Sequence, residues 1–223
     1  MAKRVSHSLL DPLLTVPIKS LYPRLRIPPR LPPEAIVGLG HLCAILGAVG
    51  FALAGRFAWG GVLGALGVAL NHTADVLDGT HARASDQCRN GGELLDHFVD
   101  PLSFSYWIAA ISYSAGCLLL GLVGVIVLYA TAVLTNIKAK MVGEFTLGRF
   151  GPTEFKTLLI LLGLTMAALN ATAEQASPLS AQIAYWFLIV LIAIGVVQLL
   201  VNLARAVRDV NASGESPDTT EWE

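Results

Sequence analysis

From Ala35 to Leu203 the chain is a succession of apolar stretches, each close to the roughly 20 residues that carry a helix across the hydrocarbon core of a bilayer. Lipid offers no hydrogen-bond partner to an open backbone, so runs of this length are read as spanning helices. The first extends from Ala35 to Trp59 and the second from about Val62 into the segment around Asp75 and Asp78. The third runs from about Gly92 to Ser114, the fourth from Cys117 to about Ile137, the fifth from about Phe155 to Ala171, and the sixth from about Ala181 to Leu203. With 54% hydrophobic and only 14% charged residues, the chain lies outside the range of ordinary soluble domains. The expected fold is an all-α integral membrane protein with six transmembrane helices.

Residues 1–33 differ from this pattern. Leu9, Leu10, Leu13, Leu14, Ile18 and Leu21 recur at roughly helical spacing among Lys3, Arg4, Lys19, Arg24, Arg26 and Arg30. That pattern predicts an amphipathic helix lying in the membrane interface, ended by the proline-rich run from Pro23 to Pro33. The expected organisation is an interfacial basic segment at 1–33, a six-span domain at 34–206, and an acidic disordered tail at 207–223. No apolar core with a cleavage site follows the first basic residues, so no secretory signal peptide is expected. Cys43, Cys88 and Cys117 have neither disulfide-framework nor zinc-site spacing.

The loops predict an orientation. With both termini cytoplasmic, 14 of the 15 Lys and Arg residues fall on that side and only Arg56 faces outward. The predicted location is a plasma or inner membrane, with the polar end of the second and third spans open to the cytoplasm.

That polar end is the chemical anomaly. Six of the sixteen acids, Asp75, Asp78, Asp86, Glu93, Asp96 and Asp100, fall within 26 residues of a predominantly apolar chain. Asp75 and Asp78 are three apart and share one helix face; Gly92, Asp96 and Asp100 are four apart and share another. A hairpin through residues 84–91 would bring the two faces together. Four converging carboxylates need cations, and oxygen-only ligation suits a hard divalent ion such as Mg²⁺, one or two in number. Carboxylate-held Mg²⁺ commonly serves phosphate chemistry. Gly79 and Gly92 would let a ligand approach the backbone, Arg83 is one turn past Gly79 and suited to a phosphate, and Asp100, read as lying at the rim, is the candidate general base.

These residues spell D-x-x-D-G-x-x-A-R-x8-G-x3-D-x3-D, which resembles the signature of the CDP-alcohol phosphotransferase family at Asp75, Asp78, Gly79, Ala82, Arg83, Gly92, Asp96 and Asp100. The resemblance implies an enzyme of phospholipid synthesis, in which an alcohol hydroxyl attacks the β-phosphorus of a CDP-alcohol and CMP leaves. It implies that Asp75, Asp78, Asp96 and Asp100 hold Mg²⁺, as two ions and replaceable by Mn²⁺, and that Asp100 is the base. Asp78, Gly79, Ala82, Arg83 and Gly92 would line the nucleotide and phosphate site. A homodimer is implied as well; no nucleic-acid partner is.

The two alcohols divide the family. G-E-L-L-D-H, with Glu93 and His97, resembles the branch that joins CDP-choline or CDP-ethanolamine to diacylglycerol, and Glu154 could meet an ammonium group or simply favour a helix N-terminus. Lys138, Lys140 and Arg149 could instead hold a second phosphate, as an enzyme joining CDP-diacylglycerol to glycerol phosphate or inositol phosphate requires; serine and inositol are other acceptors of that branch. The sequence leans to the aminoalcohol branch. A membrane prenyltransferase lacks the D-G-x-x-A-R element, and a carboxylate-lined cation carrier would place its acids nearer mid-membrane.

Overall fold

The structure is a computed structural model that describes residues 3–6, 8–147, 150–172 and 178–213. Helix α1 (Asp11–Leu25) precedes α2 (Pro33–Leu53), α3 (Ala58–Ala84), α4 (Asn90–Ser114), α5 (Leu118–Val142), α6 (Pro152–Ala171) and α7 (Pro178–Ser213). Two short strands, β1 (Lys3–Ser6) and β2 (Glu144–Leu147), pair in parallel and tie the N-terminal segment to the α5–α6 connection. Nothing in the sequence pattern announced that pairing.

Four helices, α2, α5, α6 and α7, are long and apolar enough to cross a membrane. Helices α3 and α4 have 27 and 25 residues, which at about 1.5 Å per residue is ample length, but they carry the acidic cluster. The chain is thus an integral membrane protein built almost entirely of helices. Positive-φ glycines end two of the helices: Gly116 at +71° follows α4 and Gly143 at +75° follows α5.

Helix α3 is central, packed between α2 and α6. Glycines set the spacing. A Cβ on Gly67 would come within 2.4 Å of Gly47 Cα, and one on Gly61 within 2.4 Å of the Gly163 carbonyl oxygen. At these points backbone touches backbone, the close approach that small residues permit between helices in lipid. Phe51, Val68, Phe104, Trp107, Ile111, Leu159 and Met166 fill the core around them. The Trp107 indole donates to the Ala44 carbonyl at 2.9 Å, so its one polar atom is satisfied inside the bundle.

Helix α1 contributes no buried residue, although Pro17 and Pro23 lie within it. Leu9, Leu13, Val16, Leu21 and Leu25 are exposed, while Ile18 and Tyr22 pack on a small cluster of Ile36, Ala74 and Leu77. Helix α7 runs to Ser213, well past the end of its apolar stretch. Ala204, Arg205, Ala206 and Arg208 are good helix formers, and hydropathy reports where lipid ends, not where a helix does.

Candidate active site

The short connection at residues 85–89 joins the acidic end of α3 to that of α4, and the side chains meet across the space between the two helices. One carboxylate oxygen each from Asp75, Asp78 and Asp96 lies within 4.8 Å of the others. Asp78 is buried, and its Oδ1 accepts from the Gly79 backbone N–H. Three hard oxygen donors at this separation fit a divalent cation, which would offset charge that the apolar surroundings otherwise penalise.

Asp100 takes a different partner. It lies one turn beyond Asp96 on α4, and its side chain is 27% exposed, as is that of Asp75. There Lys156 of α6 enters, with Nζ 3.3 Å from Asp100 Oδ1 and 2.7 Å from Asp75 Oδ2. The Lys156 side chain is 1% exposed and its ammonium also stands 5.5 Å from the centre of the Phe104 ring. Removing one member of a buried ion pair costs about 3–5 kcal/mol because its partner is stranded.

Gly79, Ala82 and Arg83, expected at a nucleotide and phosphate site, lie in the last turns of α3, and Gly92 lies in the first turn of α4. Arg83 folds back over Gly79, where a Cβ would lie 3.4 Å from its Nη1. Its side chain is nevertheless exposed, so it can meet an incoming phosphate. Ala82 is half-buried beside it. A Cβ on Gly92 would lie 3.8 Å from Glu34 Oε1 at the start of α2, and Glu34 is 3.6 Å from the Arg89 guanidinium.

On its inner side Asp100 borders a cavity of about 270 Å³ between α4, α5, α6 and α7. Phe104, Val127, Leu128, Phe155 and Leu191 form apolar parts of its wall, and His97, Thr131, Thr135, Asn136, Gln198 and Asn202 supply uncharged or weakly basic polar groups. No Lys or Arg is among the described residues that line it.

A family profile for CDP-alcohol phosphatidyltransferase matches residues 33–197. The chain belongs to that family. It is therefore a phosphotransferase of phospholipid synthesis that uses a CDP-alcohol donor, in a family that depends on a divalent metal. Among solved structures, this CDP-alcohol phosphatidyltransferase is similar to the Mycobacterium tuberculosis phosphatidylinositol phosphate synthase PgsA1, a structure with CDP-DAG bound. The two are 19% identical, with a TM-score of 0.59 over 86% of this chain and 94% of that one, which is a likeness of fold. No curated protein sequence matches the chain.

The remaining candidate residues of this phosphatidyltransferase are scattered. Glu93 and His97 face each other across one helical turn at 3.9 Å, and of the two only His97 reaches the cavity. Lys138 pairs with Asp209 of α7 at 2.5 Å, Lys140 is exposed, and Arg149 lies outside the described residues. Glu154 holds the N-terminal segment: its Oε1 accepts from the Ser8 hydroxyl at 2.6 Å and from the Leu9 and Leu10 N–H groups at 2.8 and 3.1 Å, while Oε2 accepts from Gly151 N–H at 2.9 Å. The sequence offered an ammonium partner or a helix-terminal acid for this residue; its hydrogen bonds are those of a terminal acid that also fastens a second segment.

Lys156 was the residue that sequence reasoning missed. It counted only as one more basic residue on the cytoplasmic side. Its signal was its place, four residues into a helix that carries no other charged residue from Phe155 onward, where an ionisable group needs a partner.

Proposed function

We propose that the enzyme transfers a phospho-aminoalcohol from CDP-choline or CDP-ethanolamine to diacylglycerol, releasing CMP. The observation that carries this reading is the cavity beside Asp100: it is apolar within the bundle, and its described polar lining is free of Lys and Arg. A lipid alcohol can put its hydroxyl at the Asp100 carboxylate and its hydrocarbon among Val127, Leu128 and Leu191. A phosphorylated acceptor would find no Lys or Arg among the described lining residues, Lys156 is already paired with Asp75 and Asp100, and Lys138 is engaged by Asp209.

In this reading Asp75, Asp78 and Asp96 hold Mg²⁺, with Mn²⁺ able to replace it. The metal supplies charge neutralisation on the diphosphate. Arg83 grips the phosphates, and Gly79, Ala82 and Gly92 leave room for the CDP moiety against the backbone. Asp100 accepts the hydroxyl proton of diacylglycerol as the oxygen bonds to the β-phosphorus, and the bond to the CMP oxygen breaks. The ammonium of Lys156 orients Asp100.

All six helices α2 to α7 span the bilayer in this reading. The segment 1–33, including α1, lies along the cytoplasmic interface before a spanning domain that begins at 34 and whose last helix, α7, continues to Ser213 into the acidic C-terminal sequence. Basic residues flanking the spans put both termini and the aspartates on the cytoplasmic side. The chain functions as a homodimer, as the family resemblance implies.

The deciding experiment is CMP release by purified protein with Mg²⁺ in two mixtures. One contains CDP-choline, CDP-ethanolamine and diacylglycerol; the other contains CDP-diacylglycerol with serine, inositol, glycerol phosphate and inositol phosphate. Release confined to the first supports the proposal. Release confined to the second overturns the aminoalcohol assignment in favour of a small polar acceptor, and loss of that release in Arg149→Ala would identify a phosphorylated one.

A further inference from the structure

Four aspartates line the site, yet only three of them converge. Asp75, Asp78 and Asp96 form the oxygen cluster, whereas Asp100 is held by a lysine that also reaches back to Asp75. The ammonium therefore stands between a member of the cluster and the fourth carboxylate, the position from which a second cation would bridge them. It is delivered by α6, whose contact with α3 is fixed at Gly61 and Gly163 without intervening side chains. The Lys156 stem is fully enclosed and its head lies over the Phe104 ring, so it has no water-exposed alternative in this packing.

We propose that Lys156 takes the place of a second metal ion, so that the enzyme without nucleotide binds one divalent cation per chain, at Asp75, Asp78 and Asp96. The inference rests on the aspartates being the metal site and is independent of which alcohols react. Charge balance favours it. Four carboxylates facing one divalent ion and one ammonium leave a single net negative charge, whereas two divalent ions and the ammonium would leave a net positive one in an apolar bundle. An ammonium at 2.7 Å and 3.3 Å from two carboxylates also blocks the approach of a Mg²⁺ that needs oxygens at about 2.1 Å in an octahedral shell. The lysine would keep the metal-free protein folded, because it already joins α3, α4 and α6 through opposite charges.

The test is a Mn²⁺ titration of the purified full-length protein in detergent without nucleotide, with free Mn²⁺ counted by its paramagnetic resonance. Wild type should take up one tightly bound ion per chain, and Lys156→Met two. In chelator, Lys156→Met should melt below wild type and recover more than wild type when Mn²⁺ is returned. Lys156→Arg, which preserves the charge, should still bind one ion and gives the comparison if the methionine variant does not fold. Two tight ions in wild type would overturn the proposal and leave the metal site standing. So would an unchanged count in a folded Lys156→Met. No tight ion in wild type would remove the metal site itself, and the proposal with it.

Discussion

The Tyr22 hydroxyl lies 2.7 Å from Nδ1 of His81, three residues past Asp78, and joins α1 to the helix that carries the first two aspartates. On its other side the ring has Nε2 at 2.8 Å from the Leu31 carbonyl, which can only accept. The Leu31 carbonyl thus takes a hydrogen bond from Nε2–H, and the tautomer with its proton there accepts a hydrogen bond from the Tyr22 hydroxyl at Nδ1. Because His81 is fully buried, both bonds replace water that cannot reach it. Tyr22→Phe should lower stability by about 1–3 kcal/mol through the stranded acceptor, measured as a lower melting temperature in detergent. His81→Ala should cost more, and an unchanged melting temperature in both variants would remove this joint from the account.

Asp78 and Asp100 should separate binding from turnover. Asp78→Asn weakens the three-oxygen cluster, so Mn²⁺ affinity and CMP release should both fall by at least tenfold. Asp100→Asn should abolish CMP release while leaving cytidine nucleotide affinity within about threefold, as expected for loss of a general base worth roughly 10²–10⁴ in rate. Near-normal turnover in that variant would exclude Asp100 as the base.

The Glu154 carboxylate accepts hydrogen bonds from Ser8, Leu9, Leu10 and Gly151. Glu154→Ala should detach the start of α1 and expose it to limited proteolysis near Leu9, with a fall in melting temperature. Its effect on KM for the aminoalcohol donor should be less than twofold. A large rise in that KM with intact proteolytic resistance would instead mean that the carboxylate meets the head group.

Filling the cavity should act on one substrate only. Thr131→Trp puts a large side chain into the space beside α4 and should raise KM for diacylglycerol at least tenfold, with KM for the CDP-alcohol within about twofold. Equal effects on both would mean that the cavity does not receive the acceptor.

Gly61→Val tests the backbone contact between α3 and α6. A Cβ there already falls 2.4 Å from the Gly163 carbonyl oxygen, so the helices must separate. The expected result is a melting temperature too low to measure or no folded protein, against a mild effect for a valine at Gly38, where a Cβ meets nothing within 4 Å.

The aspartate row was legible because helix periodicity is rigid: residues three or four apart share a face whatever surrounds them, and a five-residue connection leaves α3 and α4 adjacent. Lys156 and Glu154 were not, for a common reason. A charge near a membrane boundary reads equally well as topology, helix termination or chemistry until the element opposite it is known, and in both cases that element is far away in sequence. Lys156 meets Asp75 and Asp100, and Glu154 meets Ser8. The helices α3 and α4 were legible as elements but fall short on hydropathy, since the residues that give the site its chemistry also dilute the apolar signal. The end of α7 was misjudged because polarity returned before helix propensity ran out.

The glycine contacts that bring α2, α3 and α6 together divide the molecule mechanically. Backbones in direct contact have no side-chain cushion to compress, so α3 cannot turn or slide without driving atoms into its neighbours. Helix α5, by contrast, buries only Gly121, Gly124 and Ala139, and across the cavity it faces side chains of α7 instead of bare backbone. Asp75, Asp78 and Lys156 are therefore mounted on the stator of the machine, with Asp96 and Asp100 brought to it by α4, and in the proposed reaction the part that yields to a lipid is the α5–α7 wall.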